Sequence, residues 1–254
     1  MKRAIILQHM QRESAGSIAE ACARRGLTVE VRNLDEGARV PESCDALKGA
    51  VVIVMGGSMG VADVGDPRYP FLERELHFLR RALEARQPVL GVCLGAQLLA
   101  AAAGSRVYPN RSVDGSPALE VGFGEVRLVG GGSEPALAGL GERLLVLHWH
   151  GDTFDLPPSA IRLAQSERCA NQAFRIGSHA YGLQFHVETD AATVRRWAKE
   201  DAEFATRALG PGGPAAIIAD SEAKAMAMSE TGQRLIDNIL GQLASSEKDP
   251  GRVL

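Results

Sequence analysis

The stretch Val89-Leu90-Gly91-Val92-Cys93-Leu94-Gly95-Ala96-Gln97 constrains this chain more tightly than any other. Pro88–Val92 is an apolar run of strand length, and Gly95–Ala103 is an alanine-rich segment of helical length that ends at Gly104. Almost nothing separates them, so the chain must turn from strand into helix around Cys93. Strand and helix then approach closely, and side chains at the flanking positions would obstruct them. Gly91 and Gly95, two residues before and after Cys93, remove that obstruction. Strand, G-x-C-x-G, helix is the thiol form of the nucleophile elbow, which holds its apical residue in strained backbone above the sheet. Cys22, Cys44 and Cys169 sit on no such turn and read as ordinary packing residues.

The same alternation runs through the first hundred residues. Arg3–Leu7, Leu27–Val31 and the fully apolar Ala50–Met55 read as strands; Ser17–Arg25 and Tyr69–Arg86 read as helices. Continuous apolar strands alternating with helices predict an α/β fold with a mostly parallel, doubly wound sheet covered by helices on both faces. From Ser105 to Glu188 the segments become short and β-like, predicting extra antiparallel strands. Asp190 to about Leu209 is helical, and Gly-Pro-Gly-Gly-Pro at 210–214 breaks the pattern. A final helix carries Leu235, Ile236, Ile239, Leu240 and Leu243 on one face, before a polar tail after Ser245. Residues 1–190 are expected to form a catalytic domain and 191–254 a C-terminal helical extension packed on it.

Composition narrows the function classes. With 254 residues, 45% of them hydrophobic, the chain can build one sizeable core. A net charge of -3 with scattered Lys and Arg predicts no general affinity for nucleic acid. No apolar run approaches the ~18 residues of a membrane span, and the N-terminal run is too short for a signal segment. Four well-separated cysteines without CxxC spacing predict free thiols and a reducing cytoplasm.

A cysteine nucleophile needs help. A free thiol, with pKa ~8.5, is only a few per cent thiolate at neutral pH. Lowering such a group to ~6 takes about 3.4 kcal/mol, whereas a helix N-terminus contributes ~0.3–1 kcal/mol and at best ~2. A histidine must therefore be close. His186 ends the apolar run Tyr181–Phe185, and open α/β sheets place their sites at such strand ends. Glu188, at i+2 on the same side of an extended segment, is placed to orient the imidazole. The loop Gly56-Gly57-Ser58-Met59-Gly60 follows the third strand but carries no nucleotide-binding pattern, so no cofactor is expected. Backbone N–H groups of Gly57 and Leu94 can instead form an oxyanion hole. His148 and His150 share one face if extended, but two histidines without a third ligand predict no metal. His9, His77 and His179 read as ordinary polar residues.

Gly56-Gly57, then Gly91 to Gln97, then Gln184-Phe185-His186-Val187-Glu188 together resemble the class I (triad-type) glutamine amidotransferases. His148-Trp149-His150-Gly151-Asp152-Thr153-Phe154 further resembles the stand-alone branch related to the glutaminase domain of GMP synthetase. The resemblance implies hydrolysis of the glutamine amide through a γ-glutamyl thioester, releasing ammonia. Cys93 is then nucleophile, His186 base and acid, and Glu188 the orienting carboxylate. Gln97, and the backbone at Gly122 and Phe123, are implied to hold the glutamine; Gly56, Ser58 and His150 complete the expected substrate-binding set. The implied partners are glutamine or a γ-glutamyl small molecule and an ATP-dependent synthetase. Two departures qualify the resemblance. No S-G-G-x-D-S synthetase loop occurs, and Ser58 stands where many GMP-synthetase-type domains have proline. An independent γ-glutamyl hydrolase and a non-catalytic relative are the alternatives. The protease/deglycase branch with a similar elbow places histidine directly after cysteine, where this chain has Leu94.

Overall fold

The structure, a computed structural model, describes residues 1–246. In chain order its elements are β1 (Arg3–Gln8), α1 (Gly16–Arg24), β2 (Thr28–Asn33), β3 (Ala50–Val54), α2 (Pro70–Glu84), β4 (Val89–Val92), α3 (Leu94–Ala102) and β5 (Val107–Pro109). There follow β6 (Glu120–Leu128), β7 (Arg143–His150), β8 (Asp152–Phe154), β9 (Ala160–Gln165), β10 (Ala173–Ile176), β11 (Ala180–Leu183), α4 (Ala191–Glu200), α5 (Ala202–Leu209) and α6 (Gly213–Ser246). A nine-stranded sheet in the order β2-β1-β3-β4-β11-β10-β9-β6-β7 forms the centre. β2, β1, β3, β4 and β11 run parallel; β10, β9, β6 and β7 continue the sheet antiparallel. A small β5–β8 ribbon stands apart.

The apolar strands divide their side chains between two cores. Val51, Ile53 and Met55 face a core shared with α1, α4 and α6, whereas Ala50, Val52 and Val54 face one shared with α2 and α3. Because both faces are buried, the strands have no polar side, and each fully buried Ile, Leu or Val contributes about 1.5–3 kcal/mol. This is the predicted mixed, mainly parallel α/β sheet.

Two boundaries differ from the sequence reading. The helix expected over Asp190–Leu209 is broken at Asp201, whose φ of -109° and ψ of 34° leave the helical region. Its carboxylate turns inward to accept from Arg12 (2.6 Å) and Trp149 (3.1 Å), contacts that a continuous helix does not reveal. The final helix begins at Gly213, with Pro214 in its first turn, where proline loses no helical hydrogen bond. α6 buries Leu235, Ile236, Ile239, Leu240 and Leu243 in the core and touches α1, α4 and β7. The polar tail expected after Ser245 lies outside the described residues from 247 onward.

Candidate active site

Cys93 joins β4 to α3 with φ of 52° and ψ of -108°, a region that costs a side-chain-bearing residue on the order of 1–3 kcal/mol. Hydrogen bonds on both sides over-determine it: Cys93 N–H donates to Leu183 O (2.7 Å), and Gln97 N–H donates to Cys93 O (3.1 Å). The two glycines admit the close approach. A Cβ at Gly91 would strike the Gly95 carbonyl, and one at Gly95 would strike the Val54 carbonyl. The first N–H groups of a helix have no intrahelical acceptor, and Leu94, which begins α3, lines a cavity of about 530 Å³. Gly57, Ser58, Leu94, Gln97, His150 and His186 all line it with Cys93.

His186 lies beyond β11 and is fixed by β7. Its N–H donates to Leu147 O (2.8 Å), and its carbonyl accepts from Leu147 N–H (2.9 Å). Nδ1 is 2.6 Å from Glu188 Oε1, while Glu188 Oε2 accepts from Val187 N–H at 3.0 Å. The Glu188 backbone is clamped in turn by α1, with Ser17 N–H donating to its carbonyl at 3.0 Å. A Cβ at Gly16 would collide with that carbonyl. A Cβ at Gly56 would stand 3.3 Å from His186 Cε1 and 3.4 Å from Cys93 Cβ, so imidazole and nucleophile elbow share one small space. His186 Nε2 is buried and has no well-formed hydrogen bond among the described residues, while the Cys93 thiol is close enough to favour the cationic imidazole. Burial works to lower the His186 pKa. Glu188 and Cys93 outweigh it, and the imidazole is raised well above its ordinary value. The thiol contacts Trp149 O at 3.8 Å and receives the Gln184 amide at 3.7 Å; that Gln184 also accepts from Gln97 Nε2 at 3.1 Å.

The expected substrate contacts divide between two cavities. Ser58, Gln97 and His150 line the Cys93 cavity, and Gly56 abuts Cys93. Gly122 and Phe123 instead line an adjoining cavity with His148 and Glu120. The β6–β7 register explains this: Glu120 lies opposite His150, and Gly122 lies opposite His148, two residues further along. The same register supplies a third polar group to the two histidines. Glu120, His148 and His150 offer donor atoms within 4.8 Å of one another. Glu120 is already satisfied by Ser166 (2.7 Å) and Gln172 (2.6 Å), and His150 Nε2 lies 3.3 Å from it. Burial pushes the Glu120 carboxyl up, yet His150, His148 and Ser166 hold it below the usual range; burial lowers His148 to about 4. Glu120 thus ties His150 to Ser166 and Gln172, whereas His148 Nδ1 is buried without a hydrogen-bond partner among the described residues.

The sequence reading did not single out several residues of the site. Glu13 and Arg12 enter from the β1–α1 loop and line the cavity. Trp197 of α4 stands edge-on to His186, with ring centroids 4.9 Å apart, and donates to Arg12 O at 2.9 Å. His9, read as an ordinary polar residue, is fully buried; its Nδ1 lies 3.0 Å from Gly56 O and its Nε2 2.7 Å from Glu75. A carbonyl can only accept, so Nδ1 carries a proton and ties down the glycine loop. The available signal was position: the β1–α1 loop lies at the carboxyl end of a central strand, where open α/β sheets bind ligands.

With this geometry in hand, the relatives of the chain are consistent. The family model of class-I glutamine amidotransferases matches residues 12–196. A glutamine amidotransferase-like protein of Salmonella typhimurium, YfeJ, is 32% identical over 73% of this chain and 75% of its own length. A GMP synthase (glutamine-hydrolysing) of Thermomicrobium roseum is 36% identical over 54% of this chain, but this chain spans only 23% of that enzyme. The crystal structure of a glutamine amidotransferase from Thermotoga maritima superposes with a TM-score of 0.79 at 28% identity, covering 94% of this chain and 98% of that one. One from Methylobacillus flagellatus gives 0.81 at 26% identity, covering 96% of each. The chain belongs to the class-I glutamine amidotransferase family, whose general chemistry is hydrolysis of the glutamine amide.

Proposed function

We propose that this protein hydrolyses the side-chain amide of glutamine or of a γ-glutamyl compound through a thioester on Cys93. The observation that carries the reading is the positive-φ Cys93 beside His186, whose Nδ1 is held 2.6 Å from Glu188. Cys93 Sγ, its proton passed to His186 Nε2, attacks the amide carbon. The carbonyl oxygen becomes an oxyanion that accepts from the N–H groups of Gly57 and Leu94, each donor worth roughly 3–4 kcal/mol in the transition state. His186 returns the proton to the leaving nitrogen, the C–N bond breaks, and ammonia departs with the γ-glutamyl group left on sulfur. Water then attacks the thioester; His186 takes its proton and gives it back to the thiol as glutamate leaves. Glu188 keeps the imidazole oriented and its cationic form favourable. Gln97 is read as a contact for the bound γ-glutamyl group, and 191–254 as a helical extension of the same catalytic domain.

The test is ammonia release from glutamine by purified protein, with mass-spectrometric mapping of a glutamine-mimicking electrophile. Labelling confined to Cys93 is expected; equal labelling of Cys22 or Cys169 would refute the assignment. The similarity to GMP synthases supports ammonia delivery to an ATP-dependent synthetase. One observation favours a second reading, hydrolysis of larger γ-glutamyl conjugates: the cavity, about 530 Å³, is roomier than a single amino acid requires, and Arg111, Arg207 and Asp152 line it. Faster turnover of γ-glutamyl peptides than of glutamine would select that reading.

A further inference from the structure

The β1–α1 loop places a second buried acid against the imidazole. Glu13 is 7% exposed, and its Oε2 lies where a Cβ on Gly56 would stand, the same space that borders His186 Cε1 and Cys93 Cβ. Among the described residues its only ion-pair contact is loose: Arg12 Nε is 3.9 Å away, while that guanidinium binds Asp201 at 2.6 Å and Glu200 at 3.7 Å. Burying a carboxyl without a close counter-ion is costly, so its partner must be sought among the groups it faces. Those groups are His186 and Glu188 beyond β11, Arg12 beside it, and His9 at the end of β1, itself paired with Glu75. Burial raises the Glu13 carboxyl above its ordinary range; His186, then Arg12 and His9, offset part of that rise, and Glu188 adds to it. On the other side His186 is faced by Cys93, by His148 of β7 and by the neutral edge of Trp197.

The geometry points to Glu13 as a positioning residue, a second carboxyl that favours the cationic form of His186 from the Cε1 side of its ring. This rests on reading Cys93 and His186 as the reacting pair. Glu188 occupies Nδ1, and Nε2 must stay open to exchange a proton with the thiol and the leaving nitrogen. Cε1 lies between the two nitrogens and carries part of the imidazolium charge, so a carboxylate there stabilises the cation without blocking either nitrogen. An opposite charge within about 4–6 Å shifts a titration by about 1–3 units, and burial removes the screening that would weaken it. Gly56 is glycine at this point because any side chain would displace the Glu13 carboxyl.

The experiment follows the Cε1–H signal of His186 by NMR against pH in Cys93→Ala protein, with the signal assigned by its loss in His186→Asn. Adding Glu13→Gln should lower the His186 midpoint by about one pH unit, and Glu13→Asp should restore part of it. Gly56→Ala, which keeps the acid but pushes it aside, should move the midpoint the same way by less, and it serves if Glu13→Gln does not fold. In protein retaining Cys93, Glu13→Gln should move the alkaline limb of kcat/KM to lower pH; a merely structural role would depress kcat at every pH and leave the limb in place. An unchanged His186 midpoint in the Glu13 and Gly56 variants overturns the proposal. The titration needs no turnover, so absent hydrolysis of every γ-glutamyl donor would refute the amidase reading without touching this result.

Discussion

The two walls of the Cys93 cavity are built on different principles. One wall is a run of consecutive residues, Gly91 to Gln97, and its information is in the backbone. A strained φ at Cys93 is enforced by two glycines whose missing side chains admit the Gly95 and Val54 carbonyls. The other wall is gathered from Arg12 and Glu13, Trp149 and His150, His186, and Trp197 to Asp201. Its information is in side chains that meet across the fold: Asp201 Oδ2 accepts from both Arg12 and Trp149, and Trp197 reaches the Arg12 carbonyl. α6 supports this second wall from behind, where a Cβ at Gly232 would press to 2.9 Å from Val187 Cβ, between His186 and Glu188. A backbone wall depends on its immediate neighbours. A side-chain wall depends on the packing of every helix that carries a piece of it.

That contrast can be broken or sharpened by substitution. The largest effect is expected at the backbone wall, where Cys93→Ala should cut amide hydrolysis by at least about 10³-fold with little change in thermal midpoint. Retained turnover would end the contrast, because the elbow would then present no reacting group. Next comes Glu188→Gln, expected to cost about 10²–10⁴-fold in kcat at nearly unchanged KM, by analogy with isosteric loss of an orienting carboxylate. Asp201→Asn tests the side-chain wall: loosening Arg12 and Trp149 should lower kcat/KM by roughly tenfold, since small misplacements of catalytic groups are expensive. If activity were unaffected, the helical break would be packing alone.

Stability offers a smaller, pH-dependent test at the base of the glycine loop. Burial acts to lower His9, but Glu75 and the Gly56 carbonyl raise it above its ordinary value. A histidine raised on folding stabilises fully below its unfolded pKa of ~6.5 and loses that contribution as pH climbs through the folded value. His9→Gln should therefore cost about 3 kcal/mol at pH 6, with the gap to wild type narrowing toward alkaline pH in denaturant titrations. A gap that widened with pH would reverse the assignment. The smallest effect is expected outside both walls: Met226→Ser, on a residue 69% exposed, should change stability by no more than about 0.5 kcal/mol.

Legibility followed the same division. The elbow, the parallel strands and the apolar face of α6 could be read because each is a pattern among neighbours: two glycines around a cysteine, unbroken apolar runs, a helical period. His186 and Glu188 were readable as a pair because i and i+2 share a side in extended chain. Glu13, Trp197 and Asp201 carry no such pattern. A lone Glu in a loop and a lone Trp in an amphipathic helix look like surface and core, and only the meeting of β1, β7 and α4 gives them neighbours. The split between Gln97 and Gly122 had the same origin, since which cavity Gly122 faces depends on the β6–β7 register, and register is not encoded locally.

From its own residues, then, the chain declares an α/β sheet, a cysteine held on a strand-to-helix turn and a histidine–carboxylate pair awaiting a partner, all features with a range of a few residues. The tertiary structure alone decides that His186 is pinned to Leu147 and shares the space beside Gly56 with Cys93, and that a second acid from residue 13 stands there too. The physical reason is that close approach between distant segments is set by the packing of whole helices and strands against one another. The sum of many small contacts determines that packing, and no short motif records it.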